Sequence, residues 1–545
     1  MSGNETLNLA EISIPSRSYG RWIVLGLSAL SLTGNYYAYD MPAALNGQLM
    51  EYLGSNYDHW QYQLALMYVV YSIPNIFLPF AMGPLIDKHG ARKSFLALSG
   101  VVICGQLLFT VGLVMRMFPL VLMGRLILGV GGESLGIAQA RITYHWFNAK
   151  ELGFALGINL CFARLGSVFN DLVSPYIAER YGGVATASCF GLVMCVFSGI
   201  CALLFILADY AGEARVKIKI RQRLVMSISG NKRFSGQFMG VPENGNIRSS
   251  YFSGFSDGSC RPCDRLEQQM KLSDLYRFPT EFWILCFVMI CFYGSTIPLI
   301  NVGSDFFQKK WLGRDPITAG ALLAVPDLLS TLLLPFSGVL TNLVGCRMPI
   351  MILCAGTIGF VHWSFAFASW SPLPGLISLG CMSALYASFF WPAIALFVEE
   401  GYLATAYAVA TSVLNTFLSV APLIVAPLVI QNSQYVWVET FLGAVICAGL
   451  IGLLALWLVD SWWGGGILSR TMCSGNGLHD ELDFTDTDDD YYEETEEVYG
   501  DSEANLENSR SSYDESRTTV GTWRREKAPL IRTAEFPIFY GAATH

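Results

Sequence analysis

The chain is predicted to be an all-α membrane protein, with twelve transmembrane helices in two pseudo-symmetric six-helix bundles. Three observations predict this. First, the 545 residues are 53% hydrophobic and only 14% charged, where a soluble domain carries about 25% charge; mean hydropathy is +0.43. Second, twelve segments reach the roughly 20 apolar residues that cross a bilayer as a helix. Third, those segments fall six and six around a long polar stretch, 209–279, and the two sixes share a loop motif.

The expected spans are 22–42, 61–82, 94–114, 119–141, 152–176, 184–208, 280–300, 317–341, 348–369, 373–397, 403–428 and 436–460. They divide the chain into an N-terminal tail (1–21), a first bundle (22–208), a central loop (209–279), a second bundle (280–460) and a C-terminal tail (461–545). The polar stretch Met1–Arg21 runs straight into span one with no short cleavable signal evident. Lys and Arg near span ends set orientation. With a cytosolic N-terminus the inner loops hold Arg17, Arg21, Lys88, Arg92, Lys93, Arg141, Lys150 and Arg347. The basic run 215–223, "RVKIKIRQR", lies on the same side. Only Arg116, Arg180, Lys309, Lys310 and Arg314 lie outside, so both tails are expected in the cytosol. The basic run reads as a juxtamembrane segment against anionic lipid headgroups, not as a nucleic-acid surface.

The loop after span two is "GPLIDKHGARKS" and the loop after span eight is "GVLTNLVGCRMP". Gly83, Asp87, Gly90 and Arg92 align with Gly338, Asn342, Gly345 and Arg347 at a constant offset of 255 residues. Six-plus-six repeats of this kind are typical of transporters. Glycines permit a tight turn and close helix approach. Asp87 is expected to pair with basic groups and a neighbouring helix end, latching the inner side. Gly83, Asp87, Gly90, Arg92 and Lys93 are therefore the candidate gate. Asn342 replaces the acid in the second copy and predicts a weaker latch there.

An ionisable side chain at the centre of a membrane helix costs about 2.5–3.5 kcal/mol and marks function by default. The candidates are Asp40, Arg125, Glu133, Arg164, Asp171 and Asp327. Spans four and five form an antiparallel hairpin turning near Asn148. Glu133 and Arg164 each lie about 15 residues, hence about 23 Å, from the turn. Opposite charges at one depth near the midplane either line a central cavity and hold a ligand's two ends, or close as a structural ion pair. Arg125, two turns outward of Glu133, is read as structural or functional with equal weight. Asp171 lies seven residues beyond Arg164 on the same face. Asp327, after Pro326, adds a charge from the second half. Asp40 reads as a helix-end polar group, and His145 and His362 as interfacial. Tyr36, Tyr37, Tyr39 and "FFWP" (389–392) are mainly packing residues. Tyr37 and Trp391 are the ones taken as substrate-facing. The candidate binding set is thus Glu133, Arg164, Asp171, Tyr37, Asp327 and Trp391.

No nucleophile–base set, metal cluster or nucleotide loop stands out, so an enzyme and a resident cofactor are not expected. Fourteen cysteines lie mostly in apolar segments, where Cys is a small hydrophobe. The lone "CRPC" (260–263) is a weak metal motif.

The first loop copy is similar to the major facilitator superfamily signature G-x-x-x-D-x-x-G-x-R-[KR]. "GNYYAYDMPAAL" (34–45), "GGESLGIAQ" (131–139), "WFNAKELGFALGINLCFARLGSVFN" (146–170) and the text from Trp391 to Tyr407 are more specific. They resemble one family within that superfamily, the lysosomal dipeptide transporters of the domain-containing protein 1 type. The likeness runs through nearly all spans and fails in the central loop and tails. It implies a uniporter moving dipeptides from lysosome lumen to cytosol. It also implies that Glu133 and Arg164 handle the zwitterion: a carboxylate receives the ammonium, and a planar guanidinium grips the carboxylate bidentately. The E-x-x-E-R motif of proton-coupled peptide carriers is absent from span one, which argues against obligatory proton symport. The alternatives are a facilitator or proton symporter for another organic solute, or a membrane sensor or scaffold that transports nothing.

Much of the net charge of −9 comes from one acidic tract, 480–507, which cannot build a core. "EKAPLI", with Glu526, Leu530 and Ile531, fits the acidic dileucine pattern read by sorting adaptors. The family carries its dileucine at the N-terminus, whereas the motif here lies in the C-terminal tail. The one N-x-[ST] sequon is Asn4, on the cytosolic side. The family relies on a glycosylated single-span accessory subunit, and the resemblance implies a comparable partner.

Overall fold

The computed structural model describes residues 20–230, 278–462 and Leu468, apart from positions 145, 148, 314, 345–346, 399–401 and 433. All regular elements among them are helical. Eleven helices among the described residues are long and apolar enough to cross a membrane. The chain is therefore a multi-pass membrane protein. The first expected span is missing from the eleven because it is broken into α1 (Gly20–Leu30), α2 (Thr33–Ala44) and α3 (Asn46–Leu53). At the first break the Ser31 hydroxyl turns back on the Ser28 carbonyl at 2.6 Å. Its N–H is shared between the Leu27 and Ser28 carbonyls. Such back-bonding bends helices.

Span two is α4 (Tyr57–Ser72) and α5 (Pro74–His89), divided where Pro74 begins the new helix. Then follow α6 (Ala91–Val114), α7 (Phe118–Tyr144), α8 (Ala149–Arg180) and α9 (Gly183–Gly230). At about 1.5 Å per residue, the 48 residues of α9 extend well past a bilayer core. The boundary expected at 208 therefore lies inside one helix, and the basic run 215–223 is helical. The second half comprises α10 (Thr280–Phe307) with a π-helical turn (Gln308–Leu312), α11 (Pro316–Val344), α12 (Arg347–Phe367), α13 (Leu373–Ile394), α14 (Leu403–Gln431) and α15 (Val436–Trp462). Asp315 caps α11, its Oδ1 accepting the N–H groups of Ile317 and Thr318 at 3.1 and 3.3 Å. The Thr318 hydroxyl bonds the same carboxylate and holds it below the usual carboxylate range. The tail motif Glu526, Leu530 and Ile531, the acidic tract, the "CRPC" and His145 lie outside the described residues.

Within the first half α6 packs on α7, and α2 packs on α8 and α9; within the second, α10 and α12 pack on α15, and α11 on α13. The halves meet along two seams, α8 against α11 and α4–α5 against α14. In each seam the fifth span of one half meets the second span of the other. A two-fold relation between the repeats requires this exchange, so the seams support the repeat read from the loops.

The end that the Lys and Arg count designates outer is joined across the halves. The Tyr57 hydroxyl of α4 donates to Asp305 Oδ2 of α10 at 2.8 Å, and the Tyr435 hydroxyl donates to the same oxygen. Lys309 lies 3.3 Å from that carboxylate, with its ammonium over the Tyr57 ring. Beside them α8 and α11 touch: a Cβ on Gly320 would sit 2.2 Å from the Asp171 carbonyl oxygen. Only a glycine allows that approach.

One sequence expectation is corrected here. Asp40 is not at a helix end; it lies within α2, buried, and a further helix, α3, follows as far as Leu53. His362, expected to be interfacial, lies five residues from the end of α12 and is fully buried among the helices, its Nδ1 2.8 Å from Glu439 Oε2 in the first turn of α15. A carboxylate three helices on gives the ring a polar partner, which the apolar flanks of His362 do not advertise.

Candidate functional site

Glu133 sits on α7 in a run of glycines. A Cβ on Gly129 would meet the Tyr71 carbonyl oxygen at 2.3 Å, and one on Gly132 would meet the Tyr71 hydroxyl at 2.7 Å and Asn35 Oδ1 at 2.8 Å. The glycines bring α4 and α2 against the helix that carries the acid, as small residues do at membrane helix contacts. Glu133 is buried.

Arg164, on α8 and also buried, reaches across the α8–α11 seam. Its Nη1 donates to Ser330 Oγ at 3.0 Å and lies 3.7 Å from Asp327 Oδ1. The guanidinium thus finds a carboxylate in the other half, a partner the hairpin estimate did not supply. Tyr36 of α2 lies within electrostatic reach of Arg164, Glu133, Asp40 and Asp327. Charges on α2, α7, α8 and α11 thus all act on one phenol. The Nε of Arg164 and the hydroxyls of Ser167 and Thr331 are buried with no hydrogen-bond partner in the protein. Buried polar groups are normally satisfied by protein or by ordered water, so these groups can take a water or a polar ligand.

Asp171 is two turns outward of Arg164, and its Oδ1 accepts from Asn170 Nδ2 at 3.1 Å. Tyr37 points elsewhere than Tyr36. Its hydroxyl is 2.8 Å from Ser174 Oγ, which donates to Asn170 Oδ1 at 2.7 Å. Consecutive helix residues diverge by about 100°, so one tyrosine faces the charges and the next the α8 polar ladder. Trp391 donates its indole N–H to the Tyr293 hydroxyl at 3.1 Å, and Tyr293 is within reach of Arg164. It joins the charge cluster at one remove. Ser330, Tyr36 and Asn35 belong to the site without having been singled out as site residues from the sequence. A hydroxyl one turn beyond a membrane-embedded Asp was the available signal for Ser330.

Arg125 is resolved as a clamp. Pro42 has no N–H to give the Ala38 carbonyl. Arg125 Nη1 donates to that carbonyl and to Tyr39 O, both at 3.1 Å, and Nε donates to Met67 O at 3.4 Å. The rings of Tyr39, Tyr68 and Tyr71 surround the guanidinium, with centroids at 5.4, 5.3 and 5.2 Å. Replacing Arg125 with Met should leave α2 carbonyls unpaired and cost about 3 kcal/mol, read as a lower melting temperature of the detergent-solubilised protein.

At the inner end Arg92 of α6 bonds Asp209 and, at 2.6 Å, Glu213, both on α9, and its guanidinium lies over the Tyr210 ring. Gly90 ends α5 with φ of 84°. Gly83 has open space around its Cβ position, and Lys93 is exposed. The side chain of Asp87 lies outside the described residues.

Two helical repeats packed around a cluster of buried charges have the architecture of a membrane carrier. Residues 27–306 match the family model of the Major Facilitator Superfamily, and the chain belongs to that superfamily. Among its relatives is the lysosomal dipeptide transporter MFSD1 of Homo sapiens, 29% identical over 464 residues that cover 83% of this chain and 89% of the relative. The protein of the same name from Danio rerio is 29% identical over 472 residues, 85% of this chain and 92% of the relative. That from Mus musculus is 28% identical over 469 residues, 84% and 90% respectively.

Proposed function

We propose that this protein carries dipeptides across the lysosomal membrane, from lumen to cytosol, as a uniporter with both termini cytosolic. The observation that carries the reading is the cross-half contact of Arg164 with Asp327 and Ser330, with Glu133 and Arg164 both within electrostatic reach of Tyr36. The dipeptide ammonium binds Glu133. Its carboxylate takes the fork of Arg164, replacing Asp327 as the guanidinium's partner. Because Arg164 and Asp327 stand on opposite halves, this exchange loosens the seam as substrate binds. Binding energy is thereby coupled to the rocking that alternates access. The names of the relatives support the substrate class and the compartment. With the joined end on the lumenal side, as this orientation has it, the described state is read as closed to the lumen. Asp87 and Arg92 are assigned to the inner gate. Glu526, Leu530 and Ile531 are assigned to sorting adaptors, and a glycosylated single-span subunit is the expected companion.

Uptake of isotope-labelled dipeptides into proteoliposomes tests the reading. Saturable uptake, unchanged by collapsing a pH gradient, is expected. Absence of uptake for every dipeptide offered, with or without the gradient, overturns it.

A further inference from the structure

Asn35 of α2 is 2% exposed, and the two ends of its amide differ. Its Nδ2 donates to the Gly132 carbonyl at 3.4 Å, which sets the amide against α7. Its Oδ1 is buried with no hydrogen-bond partner in the protein. That oxygen lies 2.8 Å from the point where a Cβ on Gly132 would stand, and the Tyr71 hydroxyl of α4 lies 2.7 Å from the same point. Gly132 directly precedes Glu133, and Tyr71 and Glu133 are within electrostatic reach of each other. Three helices thus bring three kinds of oxygen to one turn of α7: a carboxylate, an amide oxygen and a phenol oxygen.

A buried amide oxygen without a donor is costly, and here the donor has to come from a ligand or a water. The ligand group assigned to Glu133 is an ammonium. A primary ammonium carries three N–H donors and no acceptor. Glu133 supplies the opposite charge and takes one of them. Asn35 Oδ1 and Tyr71 Oη are neutral acceptors for the other two, since a phenol oxygen accepts while its own hydrogen is donated elsewhere. A metal cation is a poorer match, because hard cations collect about six or more oxygens.

We propose that Asn35 and Tyr71 complete, with Glu133, a three-oxygen seat that selects dipeptides with a primary amino terminus over those with a secondary one. This rests on the transport reading above and names its specificity. Carbon in place of one N–H leaves an oxygen buried and unpaired. A site built to hydrogen-bond rejects such an analogue far more strongly than an apolar wall rejects a methyl. N-methylated dipeptides and those that begin with proline are therefore the disfavoured class.

The test measures competition with labelled Ala-Ala uptake into proteoliposomes by Ala-Ala, N-methyl-Ala-Ala and Pro-Ala. All three are zwitterions of one backbone length, and the last two carry two N–H donors instead of three. Both should compete roughly tenfold less well than Ala-Ala in the unaltered protein. Asn35→Leu keeps the volume and removes the acceptor, so Ala-Ala loses the same bond and the gap should close to about twofold. The readout is a ratio within one variant, so general damage to the site does not imitate it. Tyr71→Phe, which keeps the ring, should also narrow the gap and decides the matter if Asn35→Leu fails to fold. Equal competition by all three in the unaltered protein, or a gap that either substitution leaves unchanged, overturns the seat while Ala-Ala uptake leaves the transport reading standing. No Ala-Ala uptake by the unaltered protein overturns both.

Discussion

Glu133→Gln is expected to lower dipeptide uptake at least 100-fold with little change in folding. The substitution keeps size and removes the charge, so it isolates the ammonium contact. Losing one partner of a buried charge pair costs about 2–5 kcal/mol, and 2.7 kcal/mol is already 100-fold. Arg164→Ala should match it. Arg164→Lys should not rescue, because a point charge cannot replace a fork that serves Ser330, Asp327 and a carboxylate. Initial uptake rates at matched protein incorporation check all three. Uptake that survives both Glu133→Gln and Arg164→Ala would leave the superfamily fold intact and refute the site.

Gly320→Leu is expected to abolish transport by a different route. The new Cβ would fall 2.2 Å from the Asp171 carbonyl oxygen, a backbone atom with no freedom to rotate away. The seam between α8 and α11 then fails to close at its outer end. Parting the outer end would relieve this clash, so the protein is expected to fold with that end open. The expected result is normal expression and a loss of uptake of at least 50-fold, an order-of-magnitude figure for a barrier raised by more than 2 kcal/mol. A cysteine in place of Ser304, which now bonds the Ala44 carbonyl across the halves, should become reactive to a membrane-impermeant thiol reagent from the outer side. Normal uptake by Gly320→Leu would mean the two helices never need to touch there.

The bundle count and the repeat were legible because each depends on distance along one chain. Hydropathy runs measure length against a bilayer, and the constant offset measures duplication. What rotates or pairs around a helix was not legible. Tyr36 and Tyr37 differ by one residue, and only the packing of α2 on α8 and α9 decides which one faces the charges. Asp327 was visible as a charge in span eight, but its meeting with Arg164 depends on the seam, which lies between halves. Asp40 followed a tyrosine-rich run and preceded Met41–Pro42, so a helix end was the local reading. Proline instead stays inside the helix, because Arg125 takes over the carbonyl it frees.

That clamp bears on how the carrier moves. Arg125 ties α7 to α2 and α4 by three bonds to backbone, all inside the first half. The ties across the halves come from scattered side chains, such as Tyr57 to Asp305 and Ser412 to the Ile76 carbonyl. In the proposed uniport such a shell moves as one piece against its counterpart: thermal motion returns the carrier empty, and concentration alone sets the direction of net flow.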